Sequence, residues 1–194
     1  VAVDPAALTE RQIERRLRVL RAALELAAEG GYDAVQMRDV ATRAEVALGT
    51  VYHYFASKDH LLAAALLEWT APLERAIRRR PVAGATTRER LVDLLHRMTD
   101  GMGRDPTLTI ALLTGLTAPD PDAGQVQQQV NEVWNRLMVS AFDPEEDPER
   151  RAKVIRTLEH VWFSGLLGWV NGWSDLDRAC RDFEDAAALL LGEA

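Results

Sequence analysis

Apolar residues recur along this chain at steps of three and four, and no stretch alternates as a strand would. Ile13, Leu17, Leu20, Leu24 and Ala27 form one such stripe over about four turns, and a stripe of that period buries one face of a helix. The pattern returns in Leu61, Leu62, Ala65, Leu66 and Trp69, and again in Leu91, Leu94, Leu95, Met98 and Met102. It continues through Val126, Val130, Val133, Trp134, Leu137 and Met138, then Val154, Ile155, Leu158, Val161, Trp162, Leu166 and Trp169. Leu176, Ala179, Phe183, Ala187 and Leu190 complete it. With no hairpin turn between stripes, the chain is expected to be all-α, with about nine helices.

Capping chemistry marks the boundaries. Thr9 with Gln12 has capping-box spacing, and Gly30-Gly31 supplies a left-handed stop. Ser57 is expected to cap a long helix in which Pro72 sets a kink and which Pro81 ends. Thr86 or Thr87 opens the next. Asp105-Pro106 and Asp147-Pro148 are N-caps followed by Pro at the first helical position. Ala118–Asp122 reads as a loop before a helix from Ala123 to Phe142, and Ser174 as the last cap. Val1–Leu8 has no pattern and is expected to be a mobile arm.

Between the first two stripes lies Gln36–Lys58, QMRDVATRAEVALGTVYHYFASK. Met37, Val40, Ala41 and Ala44 share one helical face, Glu45 and Val46 make a turn, and Ala47–Tyr54 form a second helix. Thr50, His53 and Tyr54 are expected on its exposed face, with Tyr52 and Lys58 at the edges. Hydroxyls, an imidazole and a terminal ammonium on a short helix suit a DNA major groove. On periodicity alone the same pattern also suits a plain helical hairpin with its aromatics in the core.

These residues resemble the helix-turn-helix signature of the TetR family of bacterial transcription regulators. The likeness is carried by Met37-Arg38-Asp39-Val40-Ala41 and by Gly49-Thr50-Val51-Tyr52-His53-Tyr54-Phe55-Ala56-Ser57-Lys58, and it extends over residues 12–66. Gly30-Gly31-Tyr32 and Ala34–Arg38 further resemble the cholesterol-catabolism repressors within that family. The resemblance implies a three-helix DNA-binding head, residues 9–56, and a helical ligand-binding and dimerisation body, residues 57–194. It implies that Arg38 meets a base edge or phosphate, that Thr50 and His53 face the groove, and that Tyr52, Tyr54 and Lys58 meet phosphates. Val51 and Phe55 match core positions.

Three departures from the family pattern bear on the turn and its readout. Glu45 stands where a turn glycine is common, so the turn must be made without one or at some strain. Ala47 replaces the usual Ser cap, at a cost of ~1 kcal/mol. Leu48 replaces a polar reader, so its contact is expected to be apolar, as with a thymine methyl.

Composition is consistent with a DNA partner once it is divided along the chain. The net charge is −7, but residues 1–60 carry 8 basic and 9 acidic side chains, against 15 and 21 in residues 61–194. Arg11, Arg15, Arg16, Arg18 and Arg21 face only Glu14 over their span, and phosphate contacts depend on such local excess. No apolar run reaches the roughly 20 residues of a membrane span, and no signal-peptide core is read at the N-terminus. The single Cys180 points to a reducing cytoplasm. The scattered His53, His60, His96 and His160 form no metal or catalytic constellation, so neither cofactor nor metal is expected.

In the body, Trp69, Leu73, Met98, Met102, Leu112, Leu113, Leu116, Val130, Trp134 and Leu137 are candidates to line a pocket for an apolar ligand such as a lipid, steroid or acyl thioester. The same residues also suit a plain core. Gly165, Gly168 and Gly172, flanked by Trp162, Phe163, Trp169 and Trp173, suit either close approach of a partner helix or a helix that breaks near Gly172. The family resemblance implies a homodimer through the last two helices, with Trp162, Phe163, Gly165, Leu166, Trp169, Phe183 and Leu190 at its interface. The expected function is a one-component transcriptional repressor, bound to double-stranded operator DNA as a dimer and released by ligand. A dimeric adaptor without DNA binding and a helical enzyme are the alternatives.

Overall fold

The computed structural model describes residues 8–192. Of the N-terminal arm expected over Val1–Leu8, residues 1–7 lie outside the described residues. The described residues form nine helices and no strand: α1 (Glu10–Ala34), α2 (Met37–Arg43), α3 (Leu48–Tyr54), α4 (Lys58–Arg79), α5 (Thr87–Arg104), α6 (Pro106–Thr117), α7 (Pro121–Val139), α8 (Pro148–Val170) and α9 (Leu176–Leu191). The chain divides into two compact units, one ending at Ala71 and joined by Asp105–Val130, the other formed by Pro72–Arg104 with the chain from Asn131 onward. The first cut falls at Pro72, inside α4, where proline leaves the carbonyl one turn earlier without its helical donor.

In the first unit α1 begins as its cap predicts, with the Thr9 N–H and hydroxyl both donating to Gln12 Oε1 at 2.8 and 2.9 Å. It breaks at Gly30-Gly31, where Gly31 takes φ 71°. Its buried face is Val19, Leu20, Ala22, Ala23, Leu26 and Ala27, and Ile13, expected inside, is 42% exposed. α6 packs along α1. α4 is buried at six successive positions, Leu61 to Leu66, because Ala63, Ala64 and Ala65 let neighbours close in on every side. A Cβ on Gly115 would lie 2.5 Å from Leu62 Cβ, so glycine is what lets α6 cross α4 at this distance.

The second unit packs α9 against α5 and α8. Trp134 of α7, Trp162 of α8 and Phe183 of α9 meet in one aromatic cluster. Asp147 caps α8 as expected, accepting from the Glu149 and Arg150 N–H groups. Thr86 is the α5 cap, its hydroxyl oxygen accepting from Glu89 N–H while Glu89 Oε2 accepts from the Ala85 and Thr86 N–H groups. The α9 cap is Asp175, one residue beyond the expected Ser174, because its carboxylate reaches Arg178 N–H at 2.7 Å. Gly165 lies against this chain's own α9, where a Cβ would come within 2.6 Å of Ala179 Cβ. α8 ends at Val170, and Gly172 takes φ 74° in the turn that follows.

Candidate functional site

α2 and α3 are short helices joined by four residues, and the geometry of that turn fixes which face α3 presents. The Val46 N–H donates to Ala41 O at 3.0 Å and the Glu45 N–H to Thr42 O at 3.2 Å, closing α2 with a left-handed residue. That residue is Glu45, at φ 53°, so of the two outcomes left open by the missing glycine the turn is made at strain. Ala47 is the N-cap of α3 and has no side-chain bond to offer. Arg43 ties α2 back to α1 through two hydrogen bonds to the Glu29 carboxylate, 2.6 and 3.0 Å. This pairing lowers the Glu29 pKa and raises that of Arg43.

α3 buries Val51 and Tyr54 and is followed by Phe55, also buried, while Leu48, Gly49, Tyr52 and His53 stand outside. Tyr52 is 52% exposed and Leu48 36%. Thr50 is half-buried and Arg38, in the first turn of α2, is exposed. Tyr54 differs from expectation. It is 3% exposed, with its ring 5.1 Å from that of His53 and 6.3 Å from that of Phe55. At about 100° per residue Tyr54 falls between Thr50 and Val51 around the helix, and packing takes this borderline position inward.

At the junction of α3 and α4, Ser57 caps α4 as expected, its Oγ accepting from the His60 N–H at 3.0 Å. His60 is buried, and its Nδ1 accepts from the Ala56 N–H at 3.2 Å, which pins the turn leaving α3. Burial lowers the His60 pKa against the opposing pull of Asp122 and Asp120. Asp120 bonds to Ser57 and accepts from the Asp122 and Ala123 N–H groups, and these bonds hold its pKa down.

Lys58 opens α4 half-buried, its ammonium nitrogen 3.6 Å from the centroid of Tyr32. The Tyr32 hydroxyl donates to Asp59 Oδ1 at 2.6 Å. Burial lowers the Lys58 pKa, while burial and the Asp59 bond push the Tyr32 phenol up to about 12. Sequence reasoning noticed Tyr32 within Gly30-Gly31-Tyr32 but not its pairing with Lys58. Of the α1 arginines, Arg11, Arg15, Arg18 and Arg21 are exposed, whereas Arg16 lies 5.1 Å over the Phe55 ring with its pKa lowered by burial.

The remaining expected residues divide between the units. Trp69, Leu112, Leu113, Leu116 and Val130 belong to the first, and Leu73, Met98, Met102, Trp134 and Leu137 to the second. A shallow recess lined by Gly172, Trp173, Ser174, Asp175, Arg178 and Arg181 includes none of them. Of the expected interface set, Trp162, Leu166 and Phe183 are 3, 6 and 1% exposed, so this chain's own core already covers them. Gly165 serves the α8–α9 contact within the chain. Phe163 is 38% exposed and Trp169 and Leu190 are half-buried; Trp173, noted beside the glycines but outside the interface set, is 71% exposed, and Leu189, which the sequence reading did not select, 88%. Among the described residues no group of three or more His, Cys, Asp or Glu side chains is placed to hold a metal ion, and no helix is long and apolar enough to cross a membrane.

Two short helices at a tight turn, the second presenting Leu48, Tyr52 and His53 outward on a buried platform, define a helix-turn-helix transcription regulator. Residues 19–65 match the model of the bacterial regulatory proteins of the tetR family, and residues 84–190 that of the tetracyclin repressor-like C-terminal domain. The chain belongs to the TetR family. It is 39% identical to the HTH-type transcriptional repressor KstR of Rhodococcus jostii (strain RHA1), over 94% of this chain and 85% of that protein. The further resemblance to the cholesterol-catabolism repressors is met by this KstR relative. A crystal structure of a TetR transcriptional regulator from Rhodococcus sp. RHA1 superposes with TM-score 0.80 at 32% identity, covering 94% of this chain and 98% of that one. Thermus thermophilus FadR, solved in complex with lauroyl-CoA, shares the fold at TM-score 0.68 and 24% identity, over 91% of this chain and 93% of that one. The named relatives are transcriptional repressors and regulators, not enzymes.

Proposed function

We propose that this chain is a cytoplasmic one-component repressor that binds operator DNA as a homodimer and is released by a small, largely apolar ligand. The observation that carries the reading is the outer face of α3, where Leu48, Tyr52 and His53 are exposed while Val51, Tyr54 and Phe55 are buried. Residues 9–56 are the DNA-binding domain and 57–194 the ligand-binding and dimerisation domain. Arg38, Thr50 and His53 address base edges, Leu48 a thymine methyl, and Tyr52 and Lys58 the backbone. Tyr54, being buried, supports His53 from beneath.

The dimer forms through the α8–α9 face, which exposes Phe163, Trp173 and Leu189. The ligand enters the helical body, where Met98, Met102, Trp134 and Leu137 supply an apolar lining. The apolar class fits these side chains, and the acyl thioester bound by Thermus thermophilus FadR is one member of it. A ligand changes DNA affinity only by binding two head arrangements unequally. α4 carries Lys58 in its first turn and Trp69 further along, so it is the element that relays that difference.

Footprinting on an inverted repeat tests the DNA half of this reading. Two half-sites about 34 Å apart, or a multiple of that, are expected to be protected together. An isolated half-site bound as tightly as the full site overturns the dimer. Titration with acyl and steroidal compounds, following Trp fluorescence and DNA release together, tests the ligand half. Release by a small polar metabolite and by none of the apolar compounds overturns the ligand class.

A further inference from the structure

The indole N–H of Trp134 is buried and has no hydrogen-bond partner among the described residues. The residue is only 9% exposed, so solvent does not supply one. Trp173 makes the contrast: it is 71% exposed, yet its indole N–H donates to Leu167 O at 3.2 Å. A buried donor left unpaired costs its desolvation, and folded chains rarely keep one where phenylalanine would pack as well.

Trp134 is also not free to turn in search of an acceptor. Its ring lies 6.4 Å from that of Trp162 and 12° from parallel. Phe183 stands edge-on to both, at 87° and 6.5 Å from Trp134 and 82° and 6.2 Å from Trp162. Side chains of α8 and α9 thus pack around the indole within the second unit. Trp162 and Phe183 carry no strong acceptor, and a lone water would need two to four polar partners to be stable there.

We infer that Trp134 is a specificity-determining residue whose indole N–H donates to a neutral carbonyl oxygen of the ligand. This rests on the reading of the helical body as a ligand-binding domain and adds to it the one polar group the ligand must carry. The acceptor is neutral because a carboxylate or phosphate placed against a single uncharged donor in an aromatic interior would lose far more hydration than one bond returns. A ketone, ester or thioester carbonyl loses little and gains the bond. The donor thus selects among apolar molecules of similar shape by the presence and position of one oxygen.

The test uses matched probes that differ only in that oxygen: 2-tridecanone against tridecane, and 2-decalone against decalin. Indole N–H resonances of the 194-residue chain are followed by NMR, that of Trp134 being assigned by its loss in Trp134→Phe. At least one ketone is expected to move the Trp134 resonance downfield, while its hydrocarbon partner binds without that shift. In Trp134→Phe that ketone should bind about five- to tenfold more weakly, with its hydrocarbon partner changed much less. Ketone and hydrocarbon binding equally, with the Trp134 resonance unmoved, overturns the role of Trp134 and leaves the apolar pocket standing. If none of the four probes binds, this inference fails, while the apolar-ligand reading is decided by the acyl and steroidal titration. The shift is read on the unmutated protein, so the outcome does not depend on how well the variant folds.

Discussion

The Lys58 ammonium nitrogen sits 3.6 Å from the centre of the Tyr32 ring, and the hydroxyl of that ring donates to Asp59, the residue after Lys58. The end of α1 and the start of α4 are thereby joined by one cation, one aromatic face and one carboxylate. The ring attracts the ammonium through its quadrupole, and the phenol occupies the carboxylate that would otherwise draw the ammonium aside. Lys58 is thus held at the exit of the recognition helix, beside the surface proposed to meet DNA. The raised Tyr32 pKa favours the neutral phenol, so its contribution to stability is complete below pH 10.0 and is lost as pH rises toward about 12.

Lys58→Ala should weaken DNA binding by a similar factor on all sequences and lower the slope of log affinity against log salt by about one phosphate contact. Tyr32→Phe keeps the ring but frees Asp59 and should weaken binding about two- to threefold. Because the two residues act as a unit, the double variant should lose less than the product of the single effects. Salt-dependent gel shifts measure all three, and simple additivity would dissolve the proposed unit.

Arg38→Ala and Thr50→Ala should change which sequences are preferred as well as how tightly they are held, by about 1–3 kcal/mol at the affected base pair. Selection from a randomised operator pool reads this directly. A uniform loss across the pool would move both residues to the phosphate class.

Acid should loosen the turn that leaves α3. The His60 pKa is depressed below 6.5 by burial, so the neutral ring is the folded form; its contribution is present above pH 6.5 and is lost as pH falls through the folded value. Protonation places a hydrogen on Nδ1, the atom that accepts from Ala56 N–H. Asp120 and Asp122 oppose the depression and Arg16 adds to it. His60→Gln offers an oxygen in place of Nδ1 without titrating. Urea midpoints taken between pH 7 and 5 should fall in the parent and stay flatter in the variant.

Glu45→Gly should stabilise the protein by about 0.5–1 kcal/mol, since a left-handed residue other than glycine is strained by ~1 kcal/mol. Glu45→Ala keeps the Cβ and should leave stability close to the parent's. Denaturant midpoints compare the three proteins, and equal gains from glycine and alanine would place the effect in the lost charge.

Much of this protein is decided by neighbours in the chain. The steps of three and four, the caps at Thr9, Ser57, Asp105 and Asp147, and the stop at Gly30-Gly31 concern residues within about one turn of each other, so sequence alone determines the all-helical class and most helix boundaries. The helix-turn-helix is read from the resemblance of Gln36–Lys58 to the TetR signature. The missing glycine at Glu45 is legible in the sequence, but that the turn is made at strain is decided by its φ of 53°. Tertiary structure decided the positions that sit at the edge of a stripe or depend on a distant partner. Tyr54 lies at the border of the α3 face, and only packing on the first unit sends it inward while Tyr52 stays out. Asp59 is 27 residues from the tyrosine whose ring holds Lys58. Trp162 and Phe183 looked like a surface for a second copy, but α7, α8 and α9 enclose them with Trp134. Apolar residues seek burial without direction, so the pattern of a helix records that a face is covered, and only the assembled helices determine by what.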